Sequence, residues 1–237
     1  MYKEFIYRYN SGTEALAAAL KQLQVKTAVI PSYTCEDLPT ACKLAGVKFI
    51  IVDCETNLQI SVDAIKKVDK KFDCIIVPHM FGIQAPVQKI SETFKSKLII
   101  EDCSQGHGLP NIGEYSDVVI TSVNSTKWLK GKEHMGLLYT NGRIEEGDNV
   151  TDDLAIKQLH DSIIPRLKNR LERARELTNA GIELVGNNQP NSYLRGMYFT
   201  ERQRRIPYIP LHDIYLGFDC PIVDSFKNKL DWISIYD

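Results

Sequence analysis

LIIEDCSQGHG (98–108) and SDVVITSVNSTKW (116–128) are the two stretches on which the fold of this chain turns. Each opens with a short apolar run, Leu98 to Ile100 and Val118 to Ile120, of the length and β-branched character of a buried strand. Each run then gives way to residues a core does not select: Glu101 to Gln105 in the first, Ser122 to Lys127 in the second. In open α/β sheets, ligands bind at the carboxyl ends of parallel strands. An acid on one strand end and a lysine on the next suit a ligand that needs a charged partner at one edge and a covalent anchor at another. Pyridoxal phosphate is a cofactor of that kind.

Outward from these segments, strands and helices alternate. Tyr2 to Tyr9 reads as a short extended lead. Asn10-Ser11-Gly12-Thr13 opens a helix over Glu14 to Leu23, with Leu16, Leu20 and Leu23 at helical spacing. A helix start behind Ser-Gly-Thr presents free N–H groups to an anion, although an N-cap without a ligand fits the same residues. Strands are expected at Thr27 to Ile30, Val47 to Val52 and Cys74 to Val77. Helices are expected at Asp37 to Leu44, Ser61 to Lys67 (basic and exposed) and Val87 to Phe94. Met135 to Thr140 reads as the last strand of the layer, with a turn at Asn141-Gly142. This pattern predicts an α/β fold, three-layered, around a mostly parallel sheet. After Gly147 the texture becomes helical, with Pro165 near the start of a second helix. Asn187 to Asn191 reads as a loop, and Tyr193 to Phe199 and Ile206 to Leu211 as strands of a reduced C-terminal α+β small domain. The division expected is 1–150 for the large domain and 151–237 for the connection and small domain.

Six segments carry a resemblance in fixed order: SGTEAL from Ser11, PSYT from Pro31, AGVKFIIVD from Ala45, VPHMFG from Val77, IIEDCSQGHG from Ile99, and the Ser-x-x-x-Thr-Lys of Ser122 to Lys127. Together they resemble the DegT/DnrJ/EryC1/StrS sugar aminotransferases of fold-type I, and the chain reads as a shortened member. The resemblance implies a pyridoxal-phosphate cofactor held by Lys127 as a Schiff base. It places Asp102 at the pyridine nitrogen, Gln105 near the ring, and Gly12, Thr13 and Ser122 on the phosphate. Cys35 falls where the family carries an aromatic residue against the ring, with Tyr33 two residues away. His107 completes the motif with no chemistry assigned. The implied reaction moves an amino group from glutamate or glutamine to a keto sugar, nucleotide-linked in the expected case, within a homodimer. The family's dehydratases carry histidine in place of the lysine, so Lys127 points to amino transfer. Without the motif, Lys127 is an ordinary surface lysine and Asp102 a strand-end acid.

Other features favour a second reading, a catalytically degraded relative acting as a ligand-binding or interaction scaffold. Besides Cys35, the family's Asn-x-Arg segment is reduced to Asn149, and the tract after the lysine is bulkier and more charged. No GxGxxG follows the first strand, against a dinucleotide-binding reading.

Composition excludes other classes. A net charge of -1 over 237 residues creates no field for nucleic acid or acidic membranes. The short RQRR run at 202–205 reads as a solvated turn. The chain has no apolar run of about 20 residues, as a membrane span requires, and its start lacks a signal core. The six cysteines form no CxxC pair, so no metal site is expected. They read as small buried hydrophobes in a reducing, cytoplasmic setting.

Overall fold

The computed structural model describes residues 3–131, 133–144, 146–186, 188–192, 196–199 and 208–233. In chain order the first half runs β1 (Phe5–Tyr9), α1 (Gly12–Gln22), β2 (Thr27–Pro31), α2 (Asp37–Leu44), β3 (Lys48–Val52), α3 (Val62–Lys66), β4 (Cys74–Pro78), α4 (Val87–Thr93), β5 (Leu98–Asp102) and β6 (Val118–Val123). β7 (Met135–Thr140) and β8 (Asp148–Asn149) complete an eight-stranded sheet of order β3-β2-β4-β5-β6-β7-β1-β8. β3, β2, β4, β5 and β6 run parallel. β7 turns antiparallel to β6, and β1 pairs antiparallel with both β7 and β8.

Strand alternation sorts side chains between two faces. Ile30, Ile76, Ile100 and Ile120 point into a core shared with Leu16 and Leu20 of α1 and Leu38 of α2. Val29, Ile75, Val77 and Ile99 point the other way, onto Val62 and Ile65 of α3 and Val87 and Ile90 of α4. Three layers result. The crossover from β2 to β3 uses the first face and that from β3 to β4 the second, so the chain switches direction between β2 and β4. A crevice opens there at the carboxyl ends.

The second half adds α5 (Leu154–Asp161), α6 (Ile163–Asn179), β9 (Gly196–Phe199), α7 (Leu211–Ile214), α8 (Pro221–Phe226) and β10 (Leu230–Ile233). Pro165 is the third residue of α6, where its missing N–H costs no intrahelical bond. β9 and β10 form a separate antiparallel pair. Leu211, Val223, Phe226 and Leu230 join the α1–α2 core.

Four expectations are corrected. The extended lead is an interior strand, β1, whose Tyr7 is buried. β7 is therefore not the last strand. The helix at 61–67 is only half exposed, because Val62 and Ile65 complete the second core. Leu211 starts a helix rather than ending a strand, its N–H donating to the Ser32 carbonyl at 2.7 Å. Residues 206–207 and the RQRR run lie outside the described residues. All six cysteines are free, and five are buried.

Candidate active site

A cleft of about 270 Å³ lies at the switch point, built from the ends of β4, β5 and β6, the segment that leads from β2 into α2, and the start of α1. Asp102, Gln105, Cys35 and Lys127 line it, and so do Gly12, Thr13 and Ser122, so all seven sequence-derived candidates meet in one place.

The α1 end is fixed by close approach. Ser11 Oγ accepts the Glu14 N–H at 3.1 Å and caps the helix, leaving the first-turn N–H groups of Gly12 and Thr13 at the cleft. A Cβ on Gly12 would lie 2.9 Å from Ser122 Cβ, so only glycine lets this backbone reach β6. Gly136 of β7 serves the same junction, since a Cβ there would lie 2.0 Å from the Ser11 carbonyl oxygen. The Thr13 hydroxyl is engaged, donating to Asp37 Oδ1 at 3.3 Å.

Asp102 ends β5 on the cleft side and is buried. Burial raises its pKa, opposed by its bond from the Ser104 N–H at 2.9 Å and by the Lys127 charge. Ionised, this carboxylate is costly to keep buried, and a cation beside it would offset that cost. Gln105 is held at both ends: its Oε1 accepts the Phe81 N–H at 2.9 Å and its Nε2 donates to the Tyr208 hydroxyl at 3.2 Å. Phe81 itself has φ 59°, in the left-handed region that a side chain of its size rarely adopts. Cys35 has its pKa pushed up to about 12, by burial first and then by the Asp102 and Asp37 charges, so it is a neutral wall. Tyr33 does not take the ring position. It is wholly buried, edge-on to Phe226 at 5.8 Å and near Phe81 at 6.2 Å.

Lys127 is half-buried in the connection after β6. Asn124, a residue sequence reasoning passed over, shapes that turn. Its Oδ1 accepts both the N–H and the hydroxyl of Thr126 at 2.8 Å, and its carbonyl accepts the Lys127 N–H at 3.3 Å. An Asn followed by Ser-Thr is the signal for such a turn.

His79 is a second omission. Its Nδ1 accepts the Ala85 N–H at 3.0 Å, which leaves Nε2–H to donate to Glu101 Oε1 at 2.8 Å. Glu101 also accepts from Gly113 N–H and Ser116 Oγ, both at 2.8 Å. Gly106 packs so tightly on this side chain that a Cβ would lie 2.6 Å from the His79 Cβ and 2.9 Å from its ring. His107 is structural. It bonds Thr121 Oγ1 at 2.9 Å, and burial, with His160 beside it, pushes its pKa down to about 3. Asn149 sits in β8, its Oδ1 accepting the Thr151 N–H at 3.1 Å, away from the cleft.

Residues 3–146 match the model of the DegT/DnrJ/EryC1/StrS aminotransferase family. A 3-oxo-glucose-6-phosphate:glutamate aminotransferase of Bacillus subtilis is 27% identical over 135 residues, covering 54% of this chain and 30% of that protein. A GDP-perosamine synthase of Escherichia coli O157:H7 is 31% identical over 113 residues, 45% of this chain and 31% of the relative. The chain thus spans less than a third of either curated relative. In fold it is similar to NtdA of Bacillus subtilis, solved with its cofactor PMP. The TM-score is 0.82 at 17% identity, covering 99% of this chain and 69% of that one. With the motif order, the switch-point cleft and the matched span in agreement, the chain belongs to the DegT/DnrJ/EryC1/StrS aminotransferase family.

Proposed function

We propose that this protein is a pyridoxal-phosphate-dependent aminotransferase. It would carry an amino group from glutamate or glutamine to a keto sugar, nucleotide-linked in the form we favour, as part of a homodimer. The observation that carries the reading is the convergence of Lys127, Asp102 and the Gly12–Ser122 junction on one cleft at the switch point. The donor set suits the cofactor: an amine for its aldehyde, a buried carboxylate for its ring nitrogen, and helix-start N–H groups with a hydroxyl for its phosphate. The names of the relatives, which include a glutamate-using sugar aminotransferase, agree with the donor and the acceptor class.

When bound, the cofactor supplies an electron sink for the bonds at the reacting carbon. Asp102 would be the acid that pairs with the ring nitrogen: a cation there would offset the burial cost of its carboxylate, and the carboxylate would favour the protonated ring. Gly12 N–H and Ser122 Oγ orient the phosphate; Thr13 contributes its N–H while its hydroxyl stays with Asp37. Gln105, pinned between Phe81 and Tyr208, fixes one side of the ring site. Lys127 would anchor the cofactor through its amine, and the same amine, when free, would serve as the base and acid that moves a proton at the reacting carbon.

The test is chemical. Borohydride reduction of the protein with pyridoxal phosphate should leave a stable label on the Lys127 peptide. Lys127→Ala should lose both the label and the visible absorbance band while keeping its circular-dichroism spectrum. A label on another lysine, or none, would remove this reading. A label on Lys127 without amino transfer to any keto sugar would favour the scaffold alternative.

A further inference from the structure

Lys127 lies in a connection without regular structure, yet the residue after it is among the most firmly held in the molecule. Trp128 is fully buried. Its Nε1–H donates to Ser192 Oγ at 3.1 Å, and its carbonyl accepts from Arg166 Nη2. The Arg170 guanidinium lies 4.4 Å from the indole centroid and that of Arg166 5.8 Å away. Such placement over an indole face is attractive, and more so away from water; Arg170 is itself 5% exposed. Ser162, Arg166 and Arg170 follow at four-residue intervals, so they share a helix face. Arg166 is pre-set along that face, its Nε donating to the Ser162 carbonyl at 3.0 Å and its Nη2 to Ser162 Oγ at 3.2 Å. Ser192 is tied in turn to the β4 loop through its N–H to the Gly82 carbonyl at 2.7 Å. All of these gripping residues lie beyond the matched span, which ends at residue 146.

We propose that Arg166 and Arg170 of α6, with Ser192, are positioning residues for Lys127: by clamping Trp128 they set the direction and reach of the Lys127 amine in the cleft. The proposal rests on the reading of Lys127 as the covalent anchor. Asn124 fixes the turn on one side of the lysine and the clamp fixes the other, so the Lys127 Cα has little freedom and only the side chain searches for the aldehyde. In the step concerned, Nζ of the free amine forms a C=N bond to the aldehyde carbon of pyridoxal phosphate. The aldehyde oxygen leaves as water, and no oxidant or reductant is needed. Bringing two reacting atoms together depends steeply on placement.

Two measurements on the full chain separate positioning from general damage. One is the rate at which the absorbance band forms on mixing with pyridoxal phosphate. The other is the affinity for 4-deoxypyridoxine phosphate, which keeps ring and phosphate but has no aldehyde. Arg170→Met and Arg166→Met should each slow band formation by about tenfold or more, with affinity for the aldehyde-free analogue within about twofold of the unsubstituted protein. Arg170→Lys, which keeps a cation over the indole, should recover most of the rate. If the methionine variants do not fold, Ser192→Ala, a change of one hydroxyl, should show the same split at about threefold or more. Unchanged rates in folded variants, or a parallel loss of rate and analogue affinity, would overturn the clamp. Failure of the unsubstituted protein to label at Lys127 would overturn the anchor reading and this proposal together. Labelling with unaltered rates in the variants would overturn the clamp alone.

Discussion

Glu101 and Asp102 are sequence neighbours that strand alternation sends to opposite faces, one into a closed network and one into the cleft. Their electrostatics oppose each other. Burial alone would raise the Glu101 pKa, but the hydrogen bond from His79 Nε2–H, with those from Gly113 N–H and Ser116 Oγ, outweighs it and holds it below the usual carboxylate range. Its stabilisation is therefore full above the unfolded value of about 4.3 and is lost as pH falls through the folded value. Glu101→Gln should flatten the acid limb of stability, seen as urea midpoints that change less between about pH 5 and 3. Asp102 is raised instead, chiefly by burial, so its contribution is present below the unfolded value of about 3.9 and is lost as pH rises through the folded one. Asp102→Asn should accordingly stabilise the ligand-free protein at neutral pH by about 0.5–2 kcal/mol while removing transferase activity. A lower urea midpoint at pH 7 would contradict the sign. At Cys35, substitution by Phe should tighten pyridoxal-phosphate binding by up to roughly tenfold, because stacking adds about 0.5–1.5 kcal/mol. Loss of binding in an absorbance titration would mean that the cleft wall at this position has no room for a ring.

Among the elements, α8 shows how the C-terminal part is seated. The Asp53 carboxylate, just past β3, accepts the Ile222 N–H at 2.7 Å and the Val223 N–H at 3.0 Å, and so caps a helix some 170 residues away. It also accepts the Cys54 N–H at 2.9 Å. Asp53→Ala should cost about 1–2 kcal/mol, the scale of a lost N-cap, and should speed proteolysis around 208–226 before the sheet unfolds. Equal protease sensitivity in the two proteins would show that α8 is held by Val223 and Phe226 packing alone.

For the whole molecule, one core joins Tyr7 near the start to Leu230 near the end, through α1, α2 and α8. No described helix is long and apolar enough to cross a membrane. The proposed homodimer belongs to this scale. Sites of this fold type are commonly completed by a second subunit, and Leu216 and Ile209 leave large apolar groups at 89% and 60% exposure. Sedimentation should give a dimer at micromolar concentration; a monomer throughout that range would refute it and weaken the case for turnover.

The sequence by itself determined the strands and helices from α1 to β7, α2 even to its end residues, because apolar periodicity and Gly or Pro punctuation are local signals. It also determined which residues to seek at the cleft, because the ordered motifs name them and strand ends place them. Only the tertiary structure decided which way Tyr33 turns, that β1 enters between β7 and β8, that Asp53 caps α8, and that α6 grips the residue beside Lys127. Those contacts join residues about 40 to 170 positions apart. No local pattern encodes such a pairing; it follows from the one packing that buries both apolar faces of the sheet while satisfying the polar groups trapped between the layers.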